Sequence, residues 1–266
     1  MIASSHMLLI PALLLGTAIL LLLGESIWPK RMLQIPRWRR WRTHIGFAAV
    51  NLPVERLIEA GIFILLFGSI AGAAGLGAFG LLAWIDAPVW IEALIAVALL
   101  DLAVWFQHML THRIALLWRL HRVHHADRDI DMSTALRFHP VEIALSMLFK
   151  LAVAVAIGAS LSAVILFELL LSVLPLFNHA NLALPAWLDR VLRIIVVTPD
   201  MHRVHHSTER AEHDSNYGFC LSIWDRIFAT YIASPSGGHD GMSIGLADYR
   251  DEKPAQWGWS MLLPFR

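Results

Sequence analysis

Long apolar runs, separated by short segments rich in arginine and histidine, set the pattern of this 266-residue chain. Residues 8–24, LLIPALLLGTAILLLLG, carry no charge and approach the ~20 residues that a helix needs to cross a bilayer. The run reads as a retained anchor rather than a signal peptide, because no lysine or arginine precedes it and Glu25-Ser26-Ile27-Trp28 follows it. A second run, about 44–72, holds Asn51, Glu55, Arg56 and Glu59 in its first half. Such groups are costly in lipid, so they are expected to pair, to sit near the interface or to face the bundle. A third run, 90–107, delivers His108 to the membrane surface, and 141–177 is too long for one span. It suits a helical hairpin turning near Gly158-Ala159-Ser160.

Charge placement orients these spans. The segment KRMLQIPRWRRWR from Lys30 to Arg42 combines cations and tryptophans as a cytoplasmic interfacial segment does, whereas 72–88 has no lysine or arginine. The N-terminus is then outside and the C-terminus inside, with every histidine cluster on the cytoplasmic side. The expected fold is an all-α integral membrane protein: about five membrane-crossing helices and a cytoplasmic, helical, histidine-rich cap holding a dinuclear metal site. Residues 1–90 would form the anchoring helices and a turn, 91–235 the catalytic domain and 236–266 a cytoplasmic tail. The chain turns soluble after Leu182, with a possible interfacial helix in 214–231. The excess of arginine over lysine fits a bacterial inner membrane.

Composition narrows the function. Apolar types make up 57% and charged types 16%, with a mean hydropathy of +0.59, which places the chain among membrane proteins. Basic and acidic residues balance at 21 each, so no charge excess points to nucleic acid. The single cysteine, Cys220, excludes an internal disulfide and any thiolate metal cluster.

Histidine carries the chemistry. His108 and His112 are four apart and share a helical face; His121, His124 and His125 follow as H-x-x-H-H, and His202, His205 and His206 repeat that pattern. Neutral imidazole offers a lone pair to a metal, and more ligands are present than one tetrahedral ion can use. The number points to two metals. A zinc-protease reading fails, because the residues after the leading histidines are Met109, Arg122 and Arg203 rather than glutamate. Asp101, two turns before His108, is either a packing acid or a group that holds a ligand or lines a substrate channel.

The segments D-L-x-x-W-F-Q-H-x-x-x-H, L-W-R-L-H-R-V-H-H, R-F-H-P-V-E, F-N-H-A-N, T-P-D-M-H-R-V-H-H-S, D-S-N-Y-G and I-W-D-R-I-F-A-T-Y span about Leu100 to Tyr231. Together they resemble the sterol desaturase and fatty acid hydroxylase superfamily of membrane-bound histidine-box oxygenases. The resemblance implies a non-haem centre of two Fe ions with O2 as co-substrate. Its metal ligands would be His108, His112, His121, His124, His125, His179, His202, His205 and His206, with His139 as a further ligand or a neighbour of one. Some relatives have two histidines where this chain has His179 alone, followed by Asn181. Asp101 and Asn181 are the candidate catalytic residues.

The expected reaction is hydroxylation or desaturation of a lipid: a sterol, a fatty acyl chain or another isoprenoid or alkyl lipid. No haem, flavin or dinucleotide motif is visible, so electrons would come from a separate donor protein, cytochrome b5-like or ferredoxin-type. Arg113, Arg119, Arg122, Arg128, Arg137 and Arg203 would serve that donor, a lipid headgroup or simply membrane orientation. The alternatives are a histidine-rich metal transporter and a non-catalytic metal-binding membrane protein.

Overall fold

The computed structural model describes residues 2–67, 80–85 and 87–266, with side chains from residue 11 onward except 62–67. The expected turn over 72–88 lies largely outside these residues. Among the described residues there is no β-strand, only three isolated bridges.

Six longer helices come first: α1 (Ile2–Ile27), α2 (Arg37–Phe67), α3 (Val89–Arg113), α4 (Ala115–His125), α5 (Pro140–Ile157) and α6 (Leu161–Asn178). Short helices follow: α7 (Ala186–Leu192), α8 (Pro199–His205), α9 (Arg210–His213), α10 (Ile223–Ile227), α11 (Gly238–Gly241) and α12 (Trp257–Leu262).

Helices α3, α5 and α6 are long and apolar enough to cross a membrane. The chain is a membrane protein. In α1 the described apolar stretch, Pro11–Ile27, is shorter. α2 covers the second run but opens on arginines and carries Asn51, Glu55, Arg56 and Glu59. As expected for such a run, Arg56 pairs with Glu59, here at an exposed position.

The hairpin expected within 141–177 is present, and its ends follow from local chemistry. Pro140 opens α5 at a position where no backbone donor is needed, Gly158 closes it in the left-handed conformation (φ 71°), and the Ser160 side chain caps α6 by accepting from Ala163 N. α3 packs against α4, α5 and α6. Their shared core holds Leu100, Val104, Ala154, Ala163 and Phe167, while Leu145, Leu148, Ile165 and Leu166 remain exposed on the outer faces. Helices apolar on every side suit a lipid surround.

Residues 257–266 are docked onto the helices. Trp259 and Met261 pack on the buried group Phe47, Val123, Ala126 and Leu263, Arg137 donates to Ser260 Oγ, and Arg122 donates to the carbonyls of Leu263 and Arg266.

Candidate metal centre

Two adjoining groups of buried imidazoles lie where α3, α4, α8 and the end of α6 meet. His108, His112, His121, His125 and His205 form one, with ligand atoms within 4.8 Å of one another; His124, His179, His202 and His206 form the other. Each H-x-x-H-H segment serves both groups. From α4, His121 and His125 enter the five-histidine group and His124 the four; from α8, His202 and His206 enter the four and His205 the five. Helical geometry explains this division. Residues four apart project close together, while the third residue is rotated toward the other side of that face.

The hydrogen bonds fix where the lone pairs point. The Nδ1 atoms of His108, His179 and His205 lie 2.7 Å from the carbonyls of Tyr217, Pro175 and Ser215, which can only accept, so these nitrogens carry the protons. His121 Nδ1 is 2.6 Å from Glu142 Oε1. The bare Nε2 of His108 then points at His121 Nε2 at 3.1 Å, and that of His179 at His124 Nε2 at 3.1 Å and His202 Nε2 at 3.0 Å. His205 Nε2 has no partner at all. Facing lone pairs in a buried site are unfavourable without a cation between them. Metal–nitrogen bonds of about 2.1 Å meeting at right angles put neighbouring nitrogens about 3.0 Å apart, so the donor set fits a first-row metal ion in each group.

Burial reinforces the fit. It pushes His121 and His179 down to about 3 and holds His124, His125, His202, His205 and His206 well below the usual histidine range. These imidazoles are therefore neutral and available at neutral pH.

Side chains remote in sequence brace the groups. Asp225 accepts from Trp105 Nε1, Tyr217 N and Gly218 N, which seats the carbonyl of Tyr217 against His108. Arg40, fully buried, forms a fork with Asp127 at 2.8–3.0 Å and bonds Asp131 and Thr134 just beyond the end of α4. His44 joins this network through Asp127 and Ser133.

Other residues singled out in the sequence lie outside the two groups or have other partners. His139 belongs to neither group; it caps α5, accepting from Val141 N at 3.2 Å. Asp101 instead accepts from Leu221 N at 3.0 Å and Trp224 Nε1 at 2.8 Å, holding the segment before α10 onto α3. Asn181 exchanges hydrogen bonds with the backbone of Arg31, tying the α1–α2 connection to the end of α6. Arg137 and Arg203 are wholly buried and offer no docking surface. Arg40 sits in the basic segment read as interfacial, yet it is a core cation. Sequence reasoning also passed over His213, a buried ring 4.5 Å from His125 and 4.8 Å from His112. Glu142 was visible only as the last letter of R-F-H-P-V-E.

The family model described as fatty acid hydroxylase matches residues 93–230, more than half of the chain and the whole of both histidine groups. The chain belongs to the fatty acid hydroxylase family. It is 35% identical over 159 residues to alkylglycerol monooxygenase of Homo sapiens, covering 57% of this chain and 32% of that protein. It is 34% identical over 151 residues to alkylglycerol monooxygenase of Danio rerio, covering 56% and 32%. It is 28% identical over 152 residues to ornithine lipid hydroxylase OlsE of Rhizobium tropici, covering 56% and 44%. The match thus spans about a third to less than half of these relatives' length. No solved structure matches the chain.

Proposed function

We propose that this protein binds two iron ions, one in each histidine group, and uses O2 with externally supplied electrons to hydroxylate or desaturate a membrane lipid. The observation that carries the reading is the pair of adjoining, buried imidazole groups whose bare Nε2 atoms converge beside apolar membrane helices. Bound iron would supply O2 reduction and attack on an unactivated C–H bond. The protein's own part is to fix the ligands and to keep water out. Tyr217, Pro175 and Ser215 carbonyls orient His108, His179 and His205 in one tautomer, and the Glu142 side chain orients His121. Burial of all nine rings excludes bulk water from the reacting region.

The relatives' names, an alkylglycerol monooxygenase and an ornithine lipid hydroxylase, support a lipid with a polar headgroup as substrate. They also favour oxidation over metal transport. A separate donor protein would deliver the electrons, with the exposed Arg113 and Arg119 offering it a cationic surface. The apolar runs and the placement of arginine support five crossings with the site facing the cytoplasm, and the excess of arginine over lysine supports a bacterial inner membrane.

The test is oxidation itself. Protein loaded anaerobically with ferrous iron is given labelled O2, membrane lipid extract and a reducing system. Label in a lipid product, or an O2-dependent loss of two hydrogens, supports the proposal. Iron-loaded, reductant-competent protein that leaves every lipid class unchanged contradicts it.

A further inference from the structure

All nine grouped histidines are buried, with His112 the most exposed at 6%, so a hydrated cation has no open approach to them. The five-histidine group nevertheless has one polar edge. The side chain of Asp214, which follows α9, is one-third exposed and brings Oδ1 to 3.5 Å from His112 Nδ1. No hydrogen bond forms there, and both ring nitrogens of His112 are buried without a partner. His213 lies beside them, edge-on to Trp118 at 4.8 Å and tilted against His112 at 4.8 Å. Ligand atoms of His112, His213 and Asp214 all lie within 4.8 Å of one another.

We propose that Nδ1 of His112, the His213 ring and the Asp214 carboxylate form a port for divalent transition-metal ions, from which an ion passes across the His112 ring into the five-histidine group. This rests on that group holding metal. The separation of His112 Nδ1 and Asp214 Oδ1 accommodates an ion bonded to each at about 2.0–2.2 Å. Two imidazoles and one carboxylate suit iron, cobalt or zinc but supply fewer ligands than the group behind them. The port therefore binds more weakly than its destination, as a transfer site must. His112 suits the role because Nδ1 meets Asp214: with the ion on Nδ1 the ring proton sits on Nε2, and as the ion leaves, that proton is lost from Nε2 and one returns to Nδ1 beside the Asp214 carboxylate, which frees the Nε2 lone pair for the buried group. Arg210 closes the outer side, with Nε 3.2 Å from Asp214 Oδ2 and a side chain 88% exposed. An exposed ion pair of this kind is weak and opens readily. The four-histidine group has no matching arrangement among the described residues.

The test is metal exchange in the full-length protein in detergent, stripped by chelator and offered Co2+. Bound metal is measured by mass spectrometry after gel filtration at timed intervals. A port changes rates in both directions and leaves the equilibrium alone. D214N and H213Q should therefore slow uptake and release together by about tenfold or more, equivalent to about 1.4 kcal/mol on the barrier, with the same final content. R210Q should speed uptake. Unchanged rates in D214N and H213Q would overturn the port. So would faster release with lower final content, which would make these residues positioning groups for His112. If the wild-type protein takes up no Co2+ at all, the metal-centre reading fails first and the port with it.

Discussion

His125 lies face to face with His206, ring centroids 4.5 Å apart and planes 23° from parallel, although the two belong to different histidine groups. The groups therefore adjoin through stacked ligands rather than through a spacer. Because each H-x-x-H-H segment divides between them, neighbouring residues should report on different ions. His124→Ala should deplete chiefly the four-histidine group and His125→Ala chiefly the five, each leaving bound metal at the other. Metal content and cobalt absorption spectra check this, and identical spectra for the two variants would contradict the division.

Glu142 holds His121 through Nδ1 at 2.6 Å. Carboxylates in this position fix the ring and raise its basicity, and their loss weakens metal binding about 10- to 100-fold. Glu142→Ala should fall in that range and Glu142→Gln, which keeps an acceptor, should lose less. Chelator competition measures both; an unchanged affinity in Glu142→Ala would remove the proposed role.

Arg40 is enclosed by Asp127 and Asp131. Removing one partner of a buried ionic network leaves an uncompensated charge, so Arg40→Ala should cost about 3–5 kcal/mol. Loss of the exposed Arg56–Glu59 pair should cost no more than about 1 kcal/mol. Thermal unfolding in detergent compares the two, and equal effects would contradict the network's importance.

Burial alone would raise the Asp131 carboxyl, but Arg40, and then His44 and a hydrogen bond from Ser133, hold it below the ordinary value. The folded state thus binds this proton less readily than the unfolded chain, whose aspartate titrates near about 3.9. Stability from this group is complete above that pH and is lost as pH falls through the depressed folded value. Asp131→Asn should be less stable near neutrality and should flatten the fall of the unfolding midpoint below about pH 4. An equally steep fall in the variant would count against this linkage.

Asp101 provides a test of structural against chemical roles. Its contacts to Leu221 and Trp224 imply that Asp101→Ala should lower stability by about 1–3 kcal/mol, the cost of stranding buried donors. Metal content should hold. A variant of unchanged stability that binds less metal would instead make Asp101 a group that supports the metal ligands.

The histidine segments and the α5–α6 hairpin were legible because they rest on local periodicity: a helical spacing of four and an apolar run too long for one span. Which histidine joins which group was not, since it depends on how α4 and α8 face each other across about eighty residues of intervening chain. The partners of Asp101 were hidden for the same reason. Its spacing places it along the face of His108, but its partner Trp224 is 123 positions away. Arg40 lay hidden in a basic segment because nothing local distinguishes an interfacial arginine from one that folds onto Asp127. His213 stands alone outside any H-x-x-H pattern, so only the fold brings it to His125.

If the nine histidines hold two metal ions side by side, Mössbauer spectroscopy of the protein loaded anaerobically with isotopically enriched iron, combined with protein-normalised iron content, should find two irons per chain in two environments, one of five and one of four imidazoles, with His205→Ala altering chiefly the first and His179→Ala chiefly the second. One iron per chain in saturated protein, or a single environment that both substitutions change alike, would contradict it.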